Sequence, residues 1–501
     1  MNNTHRYISC LLILFIFFVC KLSYAQESDK QIKLSMQDCI NLALKSNLNI
    51  QVQRINPEIQ NALLTIAKGY FDPSISFGPS YNNSKDLALN TSSTASNIPI
   101  VTRTGNTQNL SFGITKPVVT GGSYGLSFNS NRSDINAQFV NPAYRSGLTL
   151  SITQPLLRNF GVSVNKSSII IAQNNKDISV LRLKSQLINT LSAVQNSYWD
   201  LVFSIENLKV QQFALKQAQD LLNINKKFMD NGKATISDIL QAQAAVASRE
   251  ADVISASDAI KSSEEELKRI TNIFQDKALW DASIQPLDTP SFEEVKADLQ
   301  ESINTALKNS PEYNQALLDL KSDDISIRVA KNQVLPAMDL TGSLLLDGLN
   351  NKLGDTMSQV GKADYKTWSA SIALRIPLGG RVSKAGLKRT KLIKDQDLLD
   401  LKDLEQQIIM DVRDSIRGLE SDRTRINATT AAEDFAQQVL AVEDRKYNLG
   451  LSTSYQLLQF QASLTTAAQN RLKAVIDYRK SIVNLYQSTG VTLEKLNIEF
   501  K

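Results

Sequence analysis

Apolar positions along this chain follow two rhythms, and the succession of rhythms occurs twice. Residues 35–69, SMQDCINLALKSNLNIQVQRINPEIQNALLTIAKG, place Leu, Ile and Ala at intervals of three and four, which predicts helix. FDPSISFGPSY at 71–81 then alternates apolar and small residues with polar ones, as a strand does. Pro73 sits at the join, where a helix has to end. Residues 302–334 repeat the helical pattern and LPAMDLTGSLLLDG, 335–348, the strand pattern, with Pro336 at the join.

The returning strands match as well. SGLTLSITQPLLRNFG, 146–161, corresponds to WSASIALRIPLGGR, 368–381. Pro155 in the first and Pro377 in the second each precede glycine, Gly161 or Gly379-Gly380, and then a long helical pattern. Proline fixes the backbone and removes a donor, and glycine permits a sharp change of direction, so both sites read as strand-to-helix turns.

From about 162 to 230 there is neither proline nor glycine, and Leu187, Leu191, Val194, Tyr198, Leu201, Ile205 and Leu208 are spaced by alternating fours and threes. That is a left-handed coiled-coil seam, and a helix of this length would span about 100 Å. Its counterpart is 382–448. Helices so long predict a rod or tube, with an extended coiled-coil scaffold as the plainer alternative. The breaks that follow repeat at an offset of 218 residues: FMDNGKATISDILQAQAAV, 228–246, and KYNLGLSTSYQLLQFQASL, 446–464. Gly232 and Gly450 end one helix, and Thr235 and Thr453 cap the next, over 236–274 and 454–488. Each long helix therefore folds back as a hairpin. The helices at 35–69 and 302–333 would stack on the shorter arms, and 280–296 would be a linker around the outside. This gives a first repeat over 26–279, an equatorial linker over 280–296 and a second repeat over 297–501.

Ahead of these repeats, residues 8–20 are almost wholly apolar after Arg6 and are followed by Ser23-Tyr24-Ala25. This reads as a secretory signal over 1–25 cut before Gln26, with an uncleaved anchor as the alternative. Val19 and Phe18 before Cys20 do not make a lipidation signal, and cleavage leaves Cys39 as the one cysteine, so no intrachain disulfide is expected. No other apolar run is long enough for a spanning helix, so a membrane role requires strands closed into a barrel. The one histidine is His5, inside the signal, which removes Cys-His and Ser-His-Asp chemistry and the usual zinc sites. No cofactor, metal or enzymatic activity is expected, and a net charge of +5 over 501 residues leaves no nucleic-acid footprint.

The QPLLRNFG stretch at 154–161, IPLGGR at 376–381, the paired Gly-x-x-Thr breaks, LSMQDCINLALKSNLNI at 34–50 and QNRLKAVIDYRKSIVNLYQSTG at 469–490 together make the chain resemble the TolC-type outer membrane efflux family. The resemblance implies a mixed α/β membrane protein, a homotrimer in which three chains share an outer-membrane β-barrel in lipid and a long periplasmic α-helical barrel. It implies a passive exit duct working with a periplasmic adaptor and an inner-membrane pump. An adaptor-like or structural coiled-coil protein without a pore is the alternative. Four strands per chain are too few for the smallest ordinary barrel of eight, whereas three copies would close one of twelve. Two further strands, QNLSFGITKPVVTGGSYGLSFNSN at 108–131, have no counterpart in the second half; a surface or rim hairpin is the expectation, enlargement of the barrel is the alternative, and the number of strands per chain stays open.

The resemblance also implies a constricted periplasmic entrance. Two aspartates of that family's entrance are replaced here by Gln456 and Gln459, its tyrosine is matched by Tyr447, and its arginine by Ser452. Asp238 in the first break adds one carboxylate whose aspect the sequence leaves open. Glutamines in place of carboxylates imply a nearly neutral entrance with weak cation preference. The alternatives are that Gln456 and Gln459 are helix-surface residues facing the adaptor and that Tyr447 is a packing residue.

Overall fold

The computed structural model describes residues 31–89, 100–136, 140–275 and 277–500. The signal expected over 1–25 lies outside the described residues. The elements in order are β1 (Gln31–Leu34), α1 (Met36–Ser46), α2 (Leu48–Gly69), β2 (Ser74–Leu89), β3 (Ile100–Pro117), β4 (Ser123–Ile135) and β5 (Ala143–Pro155). Then come α3 (Val162–Asn165), α4 (Ser167–Asp230), α5 (Ile236–Thr271), two short 3-10 turns, β6 (Ser283–Pro286), α6 (Leu299–Asn309) and α7 (Pro311–Gln333). β7 (Ala337–Asn350), α8 (Leu353–Lys362), β8 (Tyr365–Arg375), α9 (Arg381–Asn448), α10 (Ser454–Ser488) and α11 (Thr492–Lys495) complete the chain. The duplication extends to element lengths: α1 and α6 both have 11 residues, α2 and α7 have 22 and 23, α4 and α9 have 64 and 68, and α5 and α10 have 36 and 35.

The chain forms two compact units, which cut across the repeats because each repeat supplies segments to both. Among the described residues, the first gathers 31–53, Leu183–Ser310 and the part from Gln407 onward. Its core is the predicted seam: Leu187, Leu191, Val194, Tyr198 and Leu201 are buried against Cys39, Ile40, Ala43 and Ile50. Asn47 separates α1 from α2 because its amide donates to Ile270 O (2.7 Å) while its Oδ1 accepts from Ile50 N (3.0 Å). Within the linker, β6 pairs in parallel with β1, Ile32 opposite Ile284. Farther on it is held to α10, where Arg479 Nε donates to Ser291 O (2.6 Å) and the Tyr478 hydroxyl to Glu293 O (2.9 Å). The ribbon of β1 and β6 is absent from the sequence-based expectation, since four residues carry no readable period.

The second unit gathers Arg54–Arg182 and Pro311–Gln406 and holds a six-stranded antiparallel sheet in the order β2-β3-β4-β5-β7-β8. This corrects one expectation and fixes a count that the sequence left open. The segment 108–131 is not a rim hairpin: it belongs to β3 and β4, the second and third strands of the sheet, paired from Gly105↔Ile135 to Pro117↔Ser123. The chain accordingly supplies six strands to one sheet among the described residues.

The reason lies in the side-chain parity. One row across the sheet reads Ile75, Ile114, Leu126, Leu150, Leu344, Trp368, and the next row on the same face starts Phe77, Phe112, Phe128, Leu148, Leu346. The opposite face carries Ser76, Gly113, Ser127 and Thr149 in register. β3 and β4 extend both faces without interruption and have a paired strand on each side, whereas a hairpin off the sheet would leave their outer main-chain groups unpaired.

The second half also has an element with no sequence-based expectation. Helix α8 lies over β5 and β7, where Gly348 leaves the room: a Cβ there would stand 2.5 Å from Thr356 O. Thr356 and Val360 are its buried residues.

Candidate functional site

The helix breaks owe their shape to two glycines and two capping threonines, and the same bonds recur at the 218-residue offset. Gly232 has φ 68°, Gly232 N donates to Met229 O (2.9 Å) and Lys233 N to Phe228 O (2.7 Å). Gly450 has φ 76°, Gly450 N donates to Tyr447 O (3.0 Å) and Leu451 N to Lys446 O (2.8 Å). Both are six-to-one and five-to-two closures, which satisfy the last carbonyls of a helix and need a left-handed residue.

The next helix begins at once in each case. Thr235 accepts from Asp238 N, and Asp238 Oδ2 accepts from Thr235 N (2.9 Å) and Thr235 Oγ1 (2.7 Å). Thr453 accepts from Gln456 N (3.2 Å), and Gln456 Oε1 accepts from Thr453 N (3.4 Å). These reciprocal boxes satisfy the first free N–H groups of α5 and α10. Gln456 and Asp238 therefore hold the same local position and do the same capping work, one without charge and one with it.

The two hairpins meet at Asn225, which is fully buried on α4. Its amide donates to Asp238 O (3.1 Å) and Ser454 Oγ (2.8 Å), and its Oδ1 accepts from the hydroxyl of Tyr447. Tyr447 is only 6% exposed, packs with Leu221, Leu440 and Leu457, and lies against the Phe228 ring at 5.8 Å. Burial raises its phenol above the ordinary tyrosine range, and the Asp238 carboxylate adds to the effect. Seven residues before Gly450, Glu443 accepts from Ser452 and pairs with Lys446 (3.3 Å), and the Ser452 hydroxyl followed by Lys446 holds its carboxyl below the usual range.

The bonded set at the hairpin ends thus has two parts: Asn225 joins Tyr447 and Asp238, and Ser452 joins Gln456 and Glu443. Gln459 stays outside it: exposed one turn beyond Gln456, it lines a hollow of about 490 Å³ with Gln241, Ala244 and Tyr455. Asn225 and Glu443 are missing from the sequence-based set. They stand at the 218-residue offset from each other, but one is Asn and the other Glu, so the duplication does not single them out.

The two strand-to-helix turns differ. After Pro155, Leu156 N donates to Met338 O (2.7 Å), Gly161 adopts φ 109° and its N–H donates to Thr120 O (3.0 Å). Gly121 packs so closely there that a Cβ would stand 2.1 Å from Asn159 O. After Pro377, Gly379 and Gly380 adopt φ 87° and 54°, while Leu378 between the proline and the glycines is 97% exposed. The first turn is wedged into its surroundings and the second is open.

The sequence profile of the family described as outer membrane efflux protein matches residues 123–272 and 302–491, most of both repeats, and leaves β2 and β3 outside. The probable efflux pump outer membrane protein TtgC of Pseudomonas putida is 22% identical over 309 residues, 61% of this chain and 61% of that protein. Outer membrane protein TolC of Vibrio cholerae is 23% identical over 310 residues, 60% and 68% of the two chains. The chain thus spans about three fifths of the length of the first of these relatives. The crystal structure of the Campylobacter jejuni CmeC outer membrane channel has the same fold, with a TM-score of 0.66 at 18% identity over 91% of this chain and 85% of that one. With its profile covering both halves of the duplicated fold, the chain belongs to the outer membrane efflux protein family and is a protein of the outer membrane.

Proposed function

We propose that this protein is the passive exit duct of a tripartite efflux or type I secretion system. Three copies would share a barrel in the outer membrane, and a periplasmic adaptor would connect their helical hairpins to an inner-membrane pump. The observation that carries the reading is the two-faced sheet: a continuous apolar face suits lipid, and the face of Ser, Gly, Thr and Asn suits a water-filled lumen. Strands β5 and β8 are followed by helices of 64 and 68 residues, each about 100 Å long, which suits a duct that reaches well beyond the membrane. The relatives are named as efflux pump outer membrane proteins, which supports the same reading.

The hairpin ends would form the periplasmic entrance. Six glutamines, Gln456 and Gln459 of three chains, replace a ring of carboxylates, and with Asp238 of each chain as the remaining capping carboxylate the mouth has a weak cation preference. Conductance of the purified protein in a planar bilayer under a salt gradient tests both parts. Discrete pores with a reversal potential near zero are expected. A folded, membrane-inserted assembly that never conducts, even with the hairpin ends loosened by Asn225→Ala, would sink the duct, and strong cation selectivity would sink the weakly selective entrance.

A further inference from the structure

We propose that the outer-membrane barrel has eighteen strands, six from each of three chains, closed by pairing β8 of one copy with β2 of the next. The number of chains rests on the duct reading above; the number of strands per chain and the pairing edge rest on the sheet itself.

Among the described residues, strands β2 and β8 are the two edges of the sheet, so each has one row of main-chain N–H and C=O groups without a partner strand. Both edges carry the apolar face to its end: Ile75, Phe77 and Tyr81 on β2, and Trp368, Ile372 and Leu374 on β8, are all exposed. An unpaired edge next to such a face is not tolerated in hydrocarbon, and closure is the remedy available to strands. The partner that fits is a second copy of this chain. In an antiparallel sheet of six, the first and last strands run in opposite directions, so rotating one copy onto the next continues the antiparallel ladder unchanged.

The neighbouring helices agree. Helix α2 leads into β2 and presents Ile55, Ile59 and Ile66 to solvent, and α9 follows β8 and presents Val382, Leu392 and Leu399. The exposed apolar stripes thus lie on the elements adjoining the two open edges. One head-to-tail contact covers both the strands and the helices, and contacts of that kind generate rings when the rotation closes.

The apolar stretch lies at 75–81 on β2 but at 368–374 on β8, although Ile75 and Trp368 share a row. The belt therefore slants across the strands, as it must when strands tilt in a barrel wall. With strands about 4.8 Å apart and tilted about 40°, eighteen strands give a backbone diameter of roughly 36 Å and twelve roughly 24 Å. The inserted pair β3 and β4 widens the outer-membrane section, and the small residues facing inward keep it open. Sieving is then left to the periplasmic hairpin ends.

The test combines electron cryo-microscopy of the assembly in lipid nanodiscs with disulfide trapping in a Cys39→Ala background. Cysteines replace Ser76 or Ser80 on β2 and Ser369 or Ser371 on β8, all on the polar face. Expected are eighteen strands in a ring of three chains and, for at least one cysteine pair, a covalently closed trimer. A trimer with twelve strands and 100–135 lying off the wall overturns the strand count while leaving the duct intact. A closed ring of two chains with six strands each overturns the eighteen through the chain number. Folded, inserted protein in which no pair crosslinks and β2 faces another strand overturns the edge. A closed eighteen-stranded ring that does not conduct upholds the wall and fails the duct.

Discussion

The hydroxyl of Tyr447 on α9 donates to the Oδ1 of Asn225 on α4, and through Asn225 the two helical hairpins are bonded at their free ends. Tyr447→Phe keeps the ring in place but leaves Asn225 Oδ1 buried without a donor, a cost of about 1–3 kcal/mol. Asn225→Ala removes the whole junction and should cost more. Hydrogen exchange across 225–240 and 447–457 should rise in both variants, more in Asn225→Ala, with 187–201 unchanged. Equal exchange in variant and parent would show that the junction does not hold the hairpins together.

Gln456 occupies the position that Asp238 occupies in the other break, and Asp238 shows that a carboxylate there completes the same capping box. Gln456→Asp should therefore leave thermal stability nearly unchanged while adding one negative charge per chain at the hairpin end. The reversal potential should move toward that of cations, and millimolar divalent cations should reduce the current. An unchanged reversal potential in a properly assembled variant would place Gln456 away from the ion path.

Glycine at positive φ is required for two different reasons in this chain. At Gly232 and Gly450 the space around a Cβ is open, so alanine should cost only the left-handed strain, about 1–2 kcal/mol. At Gly121 the same strain is joined by a collision with Asn159 O. Gly121→Ala should lower the yield of folded protein far more than Gly232→Ala or Gly450→Ala. Comparable yields for all three would contradict the close packing of the 118–122 turn.

Asp323 on α7 faces the Asp397 carboxyl of α9, with Asp319 and Asp324 on its own helix, and its Oδ2 is buried without a donor from another group. Lys394 is paired with Asp324 at 2.6 Å. Burial, then the Asp397 carboxyl beside it and the neighbouring carboxylates, push Asp323 up to about 6. A raised carboxyl favours the protonated fold, so its contribution is present at about pH 4 and is lost as pH rises through 6. Asp323→Asn should raise the melting temperature at pH 7.5 and change it little at pH 4. The opposite pH trend would refute the assignment.

The repeat order, the hairpin breaks and the capping pairs were legible in the sequence, because a helix end is a local event. Glycine, a capping threonine and its partner three residues on lie within a dozen residues of one another, and the duplication at an offset of 218 made each signal testable against its copy. The long helices were equally legible, since a seam running from Leu187 to Leu208 needs one stretch of chain to be seen.

Tertiary structure alone decided where β3 and β4 belong, what Tyr447 touches and where α8 packs. Strand parity tells which residues share a face, but whether that face continues a neighbour's depends on register between segments tens to hundreds of residues apart, as Leu150 opposite Leu344 illustrates. Asn225 carries no signal of its own, because an asparagine within a helical run is ordinarily a solvent-facing residue. It becomes the junction only when folding removes it from water and leaves its amide to be satisfied by Asp238, Ser454 and Tyr447.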